Sequence, residues 1–241
     1  MNVCFLKLRE GMISYMENME SNEGLIKKIV RLEYKMFREI HTNIQGEEGK
    51  EREKAFILER KSYFKTWSNP TLLSYLSGLE DAIIEGRNLL REKYLKMDRS
   101  LNKDAKEAHL KRGYERSKTQ CDIEGPSDSS NALDEEHKIL IQKIVQIESK
   151  WQNELRERYP NIFKTKRMRN EGLNFEKYLK SELETYPPLT IEYYFWDVSN
   201  AEKEGRNLAL EEYEYMFKEL NYNSLEEVNK KIASNEKKIE R

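Results

Sequence analysis

Glu85-Gly86-Arg87-Asn88-Leu89 occurs again, unchanged, as Glu204-Gly205-Arg206-Asn207-Leu208. The two copies lie 119 residues apart, and the match extends well beyond them. Thr71 pairs with Thr190, Tyr75 with Tyr194, Ala82 with Ala201, Glu92 with Glu211, Tyr94 with Tyr213 and Met97 with Met216. A second block, Leu25-Ile26-Lys27-Lys28-Ile29-Val30, matches Leu140-Ile141-Gln142-Lys143-Ile144-Val145 at an offset of 115. Two blocks in the same order indicate a duplication, and the period is too long for a solenoid. The expected fold is therefore all-α: an internally duplicated helical bundle with pseudo-twofold symmetry, about three helices per half and a C-terminal helix.

Composition agrees with long helices. Charged residues make up 36% of the 241, with only 10 Gly and 5 Pro. The net charge of −1 gives no nucleic-acid signal. Cys4 and Cys121 are the only cysteines, which excludes a disulfide framework and a zinc spacing. No apolar run is long enough for a membrane span. Met1 to Met19 is a poor secretory signal, so a cytoplasmic protein is expected.

The chain divides into an N-terminal extension (1–23), a first repeat unit (24–98), a polar linker (99–134), a second repeat unit (135–220) and a C-terminal helix (221–241). The two repeats are expected to form one compact domain. In the first unit, apolar spacing predicts helices over 24–41 and 51–67, then one from Pro70 to about Met97, opened by Asn69-Pro70. In the second, helices are expected over 135–158, 174–186 and 189–220, with Ser224 capping the last helix. Gly86 and Gly205 then fall inside the two longest helices. Such glycines cost about 0.5–1 kcal/mol relative to Ala, and a close helix crossing would account for them.

Four carboxylates are oddly placed. Glu33 lies among Ile29, Val30, Met36 and Phe37 on one helical face, and Glu148 lies among Ile144, Val145 and Trp151. A buried carboxylate without partners is costly. Glu85 and Asn88 share a face at i, i+3, as do Glu204 and Asn207. The order Glu33, Glu85-x-x-Asn88, Glu148, Glu204-x-x-Asn207 follows the ligand scheme of four-helix di-metal carboxylate proteins, with Asn in place of His. An all-oxygen set suits Mg or Mn better than iron. On this reading Glu33, Glu85, Glu148 and Glu204 converge as catalytic and metal-binding groups, Asn88 and Asn207 complete the metal site, and Arg87 and Arg206 bind an anionic small-molecule substrate. The competing reading is a non-catalytic ligand-binding or protein-interaction protein whose buried Glu residues are neutralised by Arg87, Arg206, Lys28 and Lys143.

Other candidates point less clearly to chemistry. His41, His109 and His137 read as surface residues. The basic run from Lys164 to Arg169 reads as a solvated loop. Tyr193-Tyr194-Phe195-Trp196 reads as core packing or a contact between the halves.

The doubled EGRNL unit, preceded by Ser-Tyr-Leu or Tyr-Tyr-Phe, resembles a bacterial domain-of-unknown-function family (4125). The resemblance covers roughly residues 24–220 and is closest over Leu25–Phe37, Trp67–Met97 and Glu204–Met216. It implies a helical fold and assigns no activity.

Overall fold

The computed structural model describes residues 21–41, 46–100, 134–164 and 175–239, with side chains described as far as Met97 in the second segment and Asn235 in the last. Residues 1–20 of the N-terminal extension, most of the polar linker, His109 and the bulk of the basic loop lie outside the described residues. Among the described residues there are nine α-helices and no strands. They are α1 (Asn22–Ile40), α2 (Gly46–Phe64), α3 (Asn69–Ile84), α4 (Leu89–Ser100), α5 (Glu135–Arg158), α6 (Phe175–Leu183), α7 (Pro188–Lys203), α8 (Leu208–Glu219) and α9 (Leu225–Ile239). A 3-10 turn, Ile162–Lys164, follows α5.

Local chemistry sets the boundaries. The side chain of Ser21 accepts from the Gly24 N–H and opens α1. Asp134 does the same for α5 through the His137 N–H. Ser224 accepts from the Glu227 N–H at the start of α9. Each satisfies one of the free donors at a helix N-terminus. Pro70 and Pro188 stand in the first turns of α3 and α7, where a missing N–H costs nothing.

The expected long third helices are each broken at EGRN. Glu85 is the C-cap of α3, and Gly86 follows with φ 71. The Gly86 N–H donates to the Ile83 carbonyl at 3.1 Å and the Arg87 N–H to the Ala82 carbonyl at 2.7 Å. That pair of bonds is the Schellman helix stop, which needs a left-handed residue at this position and therefore favours glycine. Asn88 then caps α4, its side-chain oxygen accepting from the Arg91 N–H at 3.0 Å. The second copy repeats the turn: Gly205 has φ 71, Arg206 N–H reaches the Ala201 carbonyl at 2.8 Å, and Asn207 accepts from the Leu210 N–H. The repeated motif is thus a stop followed by a start. A Cβ added to either glycine would meet nothing within 4 Å, so neither glycine marks a crossing.

The close approach occurs at Gly78 instead. α3 packs beside α7. A Cβ on Gly78 would come within 2.2 Å of Cγ of Pro187. Nearby, Asp197 of α7 accepts from the Ser68 N–H at 3.0 Å and the Thr71 hydroxyl at 2.6 Å, capping α3 from another helix. α1 packs on α2, α3 and α4, and α5 packs on α6, α7 and α8. The pairs α2–α8 and α4–α6 join the first-unit helices to the second. The apolar core is continuous across them, running from Leu25, Ile29 and Phe64 to Ile144, Leu183 and Ile191.

Candidate functional site: a buried charged and tyrosine network

The core contains charge. Glu33, on the inner face of α1, is 0% exposed. Arg60 of α2 grips it through two parallel bonds, Nε to Oε2 and Nη2 to Oε1, both at 2.7 Å. The Tyr75 hydroxyl of α3 donates to Oε1 at 2.7 Å. The third guanidinium nitrogen of Arg60 reaches Glu182 of α6 at 2.7 Å. Glu182 also accepts from Lys93 Nζ of α4 at 2.8 Å and from the Tyr186 hydroxyl at 2.9 Å. Five elements from both parts of the chain thus meet on two carboxylates and two cations. Charge-assisted forked pairs of this kind are the strongest hydrogen bonds available to side chains.

Aromatic rings enclose the network. The Arg60 guanidinium lies 4.7 Å from the Phe64 ring centre and Lys93 Nζ 3.7 Å from that of Tyr178. Trp67 packs against Tyr63, Tyr75, Tyr186 and Tyr194. On the far side of this cluster lies Glu148 of α5, 6% exposed. It accepts a short bond from the Tyr194 hydroxyl, which itself lies 3.1 Å from that of Tyr63.

The two ends of the network differ in charge compensation. Burial alone would raise the Glu182 carboxyl, but Arg60 and Lys93 more than reverse this and hold it at about 2. Burial pushes Glu148 up to about 7, against the opposing effect of the Tyr194 hydroxyl. Burial also holds Lys93 below the ordinary lysine value despite Glu182. Glu212 of α8, half buried, is raised well above the usual carboxylate range, first by desolvation and then by the charges of Glu59 and Glu148.

The four carboxylates singled out by the sequence do not converge. Glu33 and Glu148 are buried, but Glu85 and Glu204 occupy the C-cap positions of α3 and α7, with side chains 57% and 59% exposed. A cap lies at the solvent end of a helix, so the i, i+3 geometry assumed for Glu85 and Asn88 is absent. Arg87 pairs with Glu92 at 2.8 Å and with Glu85 at 3.1 Å, and Arg206 pairs with Glu211 and Glu204 in the same way. Both arginines are locked to their own turns, and neither reaches Glu33 or Glu148. Asn88 and Asn207 use their oxygens as caps. Their amides donate to Met36 O and Glu39, and to Trp151 O and Glu154. Among the described residues no three His, Cys, Asp or Glu side chains are grouped to hold a metal ion. Of the other expected neutralisers, Lys28 is exposed and Lys143 lies 5.6 Å from the centre of the Phe195 ring.

Arg60, Lys93, Glu182 and the tyrosines were absent from the sequence-based set, though a signal for them exists. Arg60 has Phe64 four positions on, and Glu182 lies beside Leu179, Leu183 and Tyr186. The criterion that selected Glu33, a charge inside an apolar stripe, selects both. His137 is also tied in place: its ring bonds Asp134 and Glu192, joining the start of α5 to α7.

Fold and site define an all-helical protein with a buried ionic core, in which no helix of the described residues is long and apolar enough to cross a membrane. The chain belongs to the family described as protein of unknown function DUF4125, which matches residues 23–230. No curated protein and no solved structure matches it.

Proposed function

We propose that this is a non-catalytic, ligand-binding helical protein whose interior network is structural, fixing how the two parts of one compact domain engage. The observation carrying this reading is that Arg60, Lys93, Tyr75 and Tyr186 already occupy the oxygens of Glu33 and Glu182. A substrate or metal ion at those oxygens would have to displace a buried guanidinium, leaving an uncompensated charge in the core.

The same reading takes residues 24–98 and 135–220 as copies related by a pseudo-twofold axis. The bounds of α3 and α7, and of α4 and α8, each differ by the 119 residues that separate the EGRN motifs. Tyr75 donates to Glu33 as Tyr194 donates to Glu148. Lys93 and Glu212 occupy equivalent positions with opposite charge. At the same offset Arg60 is matched by Leu179, so Glu148 has no counterpart of the guanidinium that compensates Glu33.

The test is thermal unfolding with chelator, with Mn and with Mg, on the wild type and on Glu33→Gln. The structural reading expects a lower Tm for Glu33→Gln and no metal response in either protein. A Tm raised by Mn or Mg in the wild type, and not in Glu33→Gln, would establish the metal-dependent reading instead.

A further inference from the structure

The face where α5 and α7 run side by side carries an open groove of about 560 Å³. Its floor and rim combine two features seldom left together in solvent. Trp196 is 61% exposed, and Leu189, Tyr193 and Ile139 extend the apolar surface along the same two helices. Lys143, Lys150 and Lys203 line the groove, facing a single lining carboxylate, Glu202, whose partner at 3.7 Å is Lys150. Two lysines are therefore left over against the groove's own acid. An exposed indole offers a flat face for stacking, and lysines around it supply point charges for an anion. The volume falls in the range of small-molecule sites.

We propose that this groove binds a small anion of the nucleotide kind, an aromatic ring linked to a group that carries two or more negative charges, with the ring on Trp196 and the charges on Lys143 and Lys203. The site deepens the ligand-binding reading above. It also moves the anion expected from the sequence away from Arg87 and Arg206, which are held in their own turns. The interior network is a separate matter, because its stability test does not involve the groove.

Trp67 and Trp151 are both buried, so fluorescence quenching by an added ligand reports Trp196. The probe is ATP without divalent metal, with adenosine and tripolyphosphate as its two halves. Expected are saturable quenching by ATP, at least about tenfold weaker binding by either half, and about tenfold weaker ATP binding in Lys143→Glu/Lys203→Glu. Calorimetry should show the same loss for Trp196→Ala. The proposal is overturned if ATP does not quench saturably, if the lysine variant binds as tightly, or if tripolyphosphate binds as well as ATP. It is also overturned if the wild type is a dimer that Trp196→Ala dissociates while ATP has no effect, since the face would then be a contact between copies. All substitutions lie on exposed or half-buried surface, and unchanged melting temperatures verify that the fold is kept.

Discussion

Arg60 on α2 holds Glu182 on α6 at 2.7 Å while its other two nitrogens are engaged by Glu33. One guanidinium therefore ties the first part of the chain to the second through the core. Removing it leaves Glu33 buried with no cation and Glu182 with Lys93 alone. Arg60→Met should destabilise the protein by about 3–5 kcal/mol, as expected when one partner of a buried pair is lost. Chemical denaturation measures this. Glu80→Gln, on the exposed face of α3, provides the comparison and should change stability by less than about 0.5 kcal/mol. Equal effects at the two sites would show that the network is not structural.

The helical class and the buried positions of Glu33 and Glu148 were legible in the sequence, because both carry a local signature: an acid inside a stripe of period 3.6. The break at EGRN was legible in principle. Gly followed two residues later by a capping Asn, with a leucine after it, is a stop and a start. The apolar residues on either side keep one helical phase, however, since Ile83 and Leu90 stand seven positions apart, and periodicity alone reads one helix across the polar turn. Glu85 and Glu204 were misplaced for that reason, and the four-carboxylate site depended on them. The partner of Glu33 could not be read from its own helix. It lies 27 positions away, and several other cations were available in the sequence.

The glycines separate two kinds of backbone constraint. Gly86 and Gly205 have φ 71 and open space where a Cβ would stand. Gly86→Ala should cost about 1–2 kcal/mol from the left-handed backbone alone, and Gly86→Asn less, since Asn tolerates that conformation. Gly78 has the opposite problem, with the Pro187 ring 2.2 Å from a new Cβ. Gly78→Ala should cost about 1–3 kcal/mol by overpacking, and Gly78→Asn more rather than less. Ranking Ala and Asn variants at both positions by melting temperature distinguishes the mechanisms. Rescue by Asn at Gly78 would contradict the crossing.

Asn88 and Asn207 are equivalent caps with unequal second roles. Asn88 donates to Met36 O at 3.0 Å and Glu39 at 2.8 Å, whereas the Asn207 bonds to Trp151 O and Glu154 are 3.4 and 3.2 Å. Replacing either with Ala removes a cap worth about 1 kcal/mol. Asn88→Ala should lose more, because its amide lies in the core and ties α4 to α1. Equilibrium unfolding of the two single variants tests this order.

Glu148 and Glu182 predict opposite responses to pH. Glu148 has an ordinary value of 4.5 and is raised to about 7 in the fold. A raised value means the native state binds the proton more tightly, so this contribution is complete below about pH 4.5 and is lost as pH rises through 7. Glu182 is lowered from 4.5 to about 2. Its contribution is present above pH 4.5 and is lost as pH falls toward 2. Each shift corresponds to about 3 kcal/mol, so these two groups favour a stability maximum near pH 4.5. His137 also lies above its ordinary value through Asp134 and Glu192, and its contribution falls in the same direction as that of Glu148 as pH rises. The difference between wild type and Glu148→Gln isolates Glu148 from that histidine. Gln still offers the Tyr194 hydroxyl an acceptor and carries no charge. Glu148→Gln should match the wild type near pH 4.5 and exceed its stability by up to about 3 kcal/mol at pH 8. Urea unfolding at a series of pH values gives the two curves. If they run parallel from pH 4.5 to 8, Glu148 does not titrate in the core and the uncompensated end of the network has been misread.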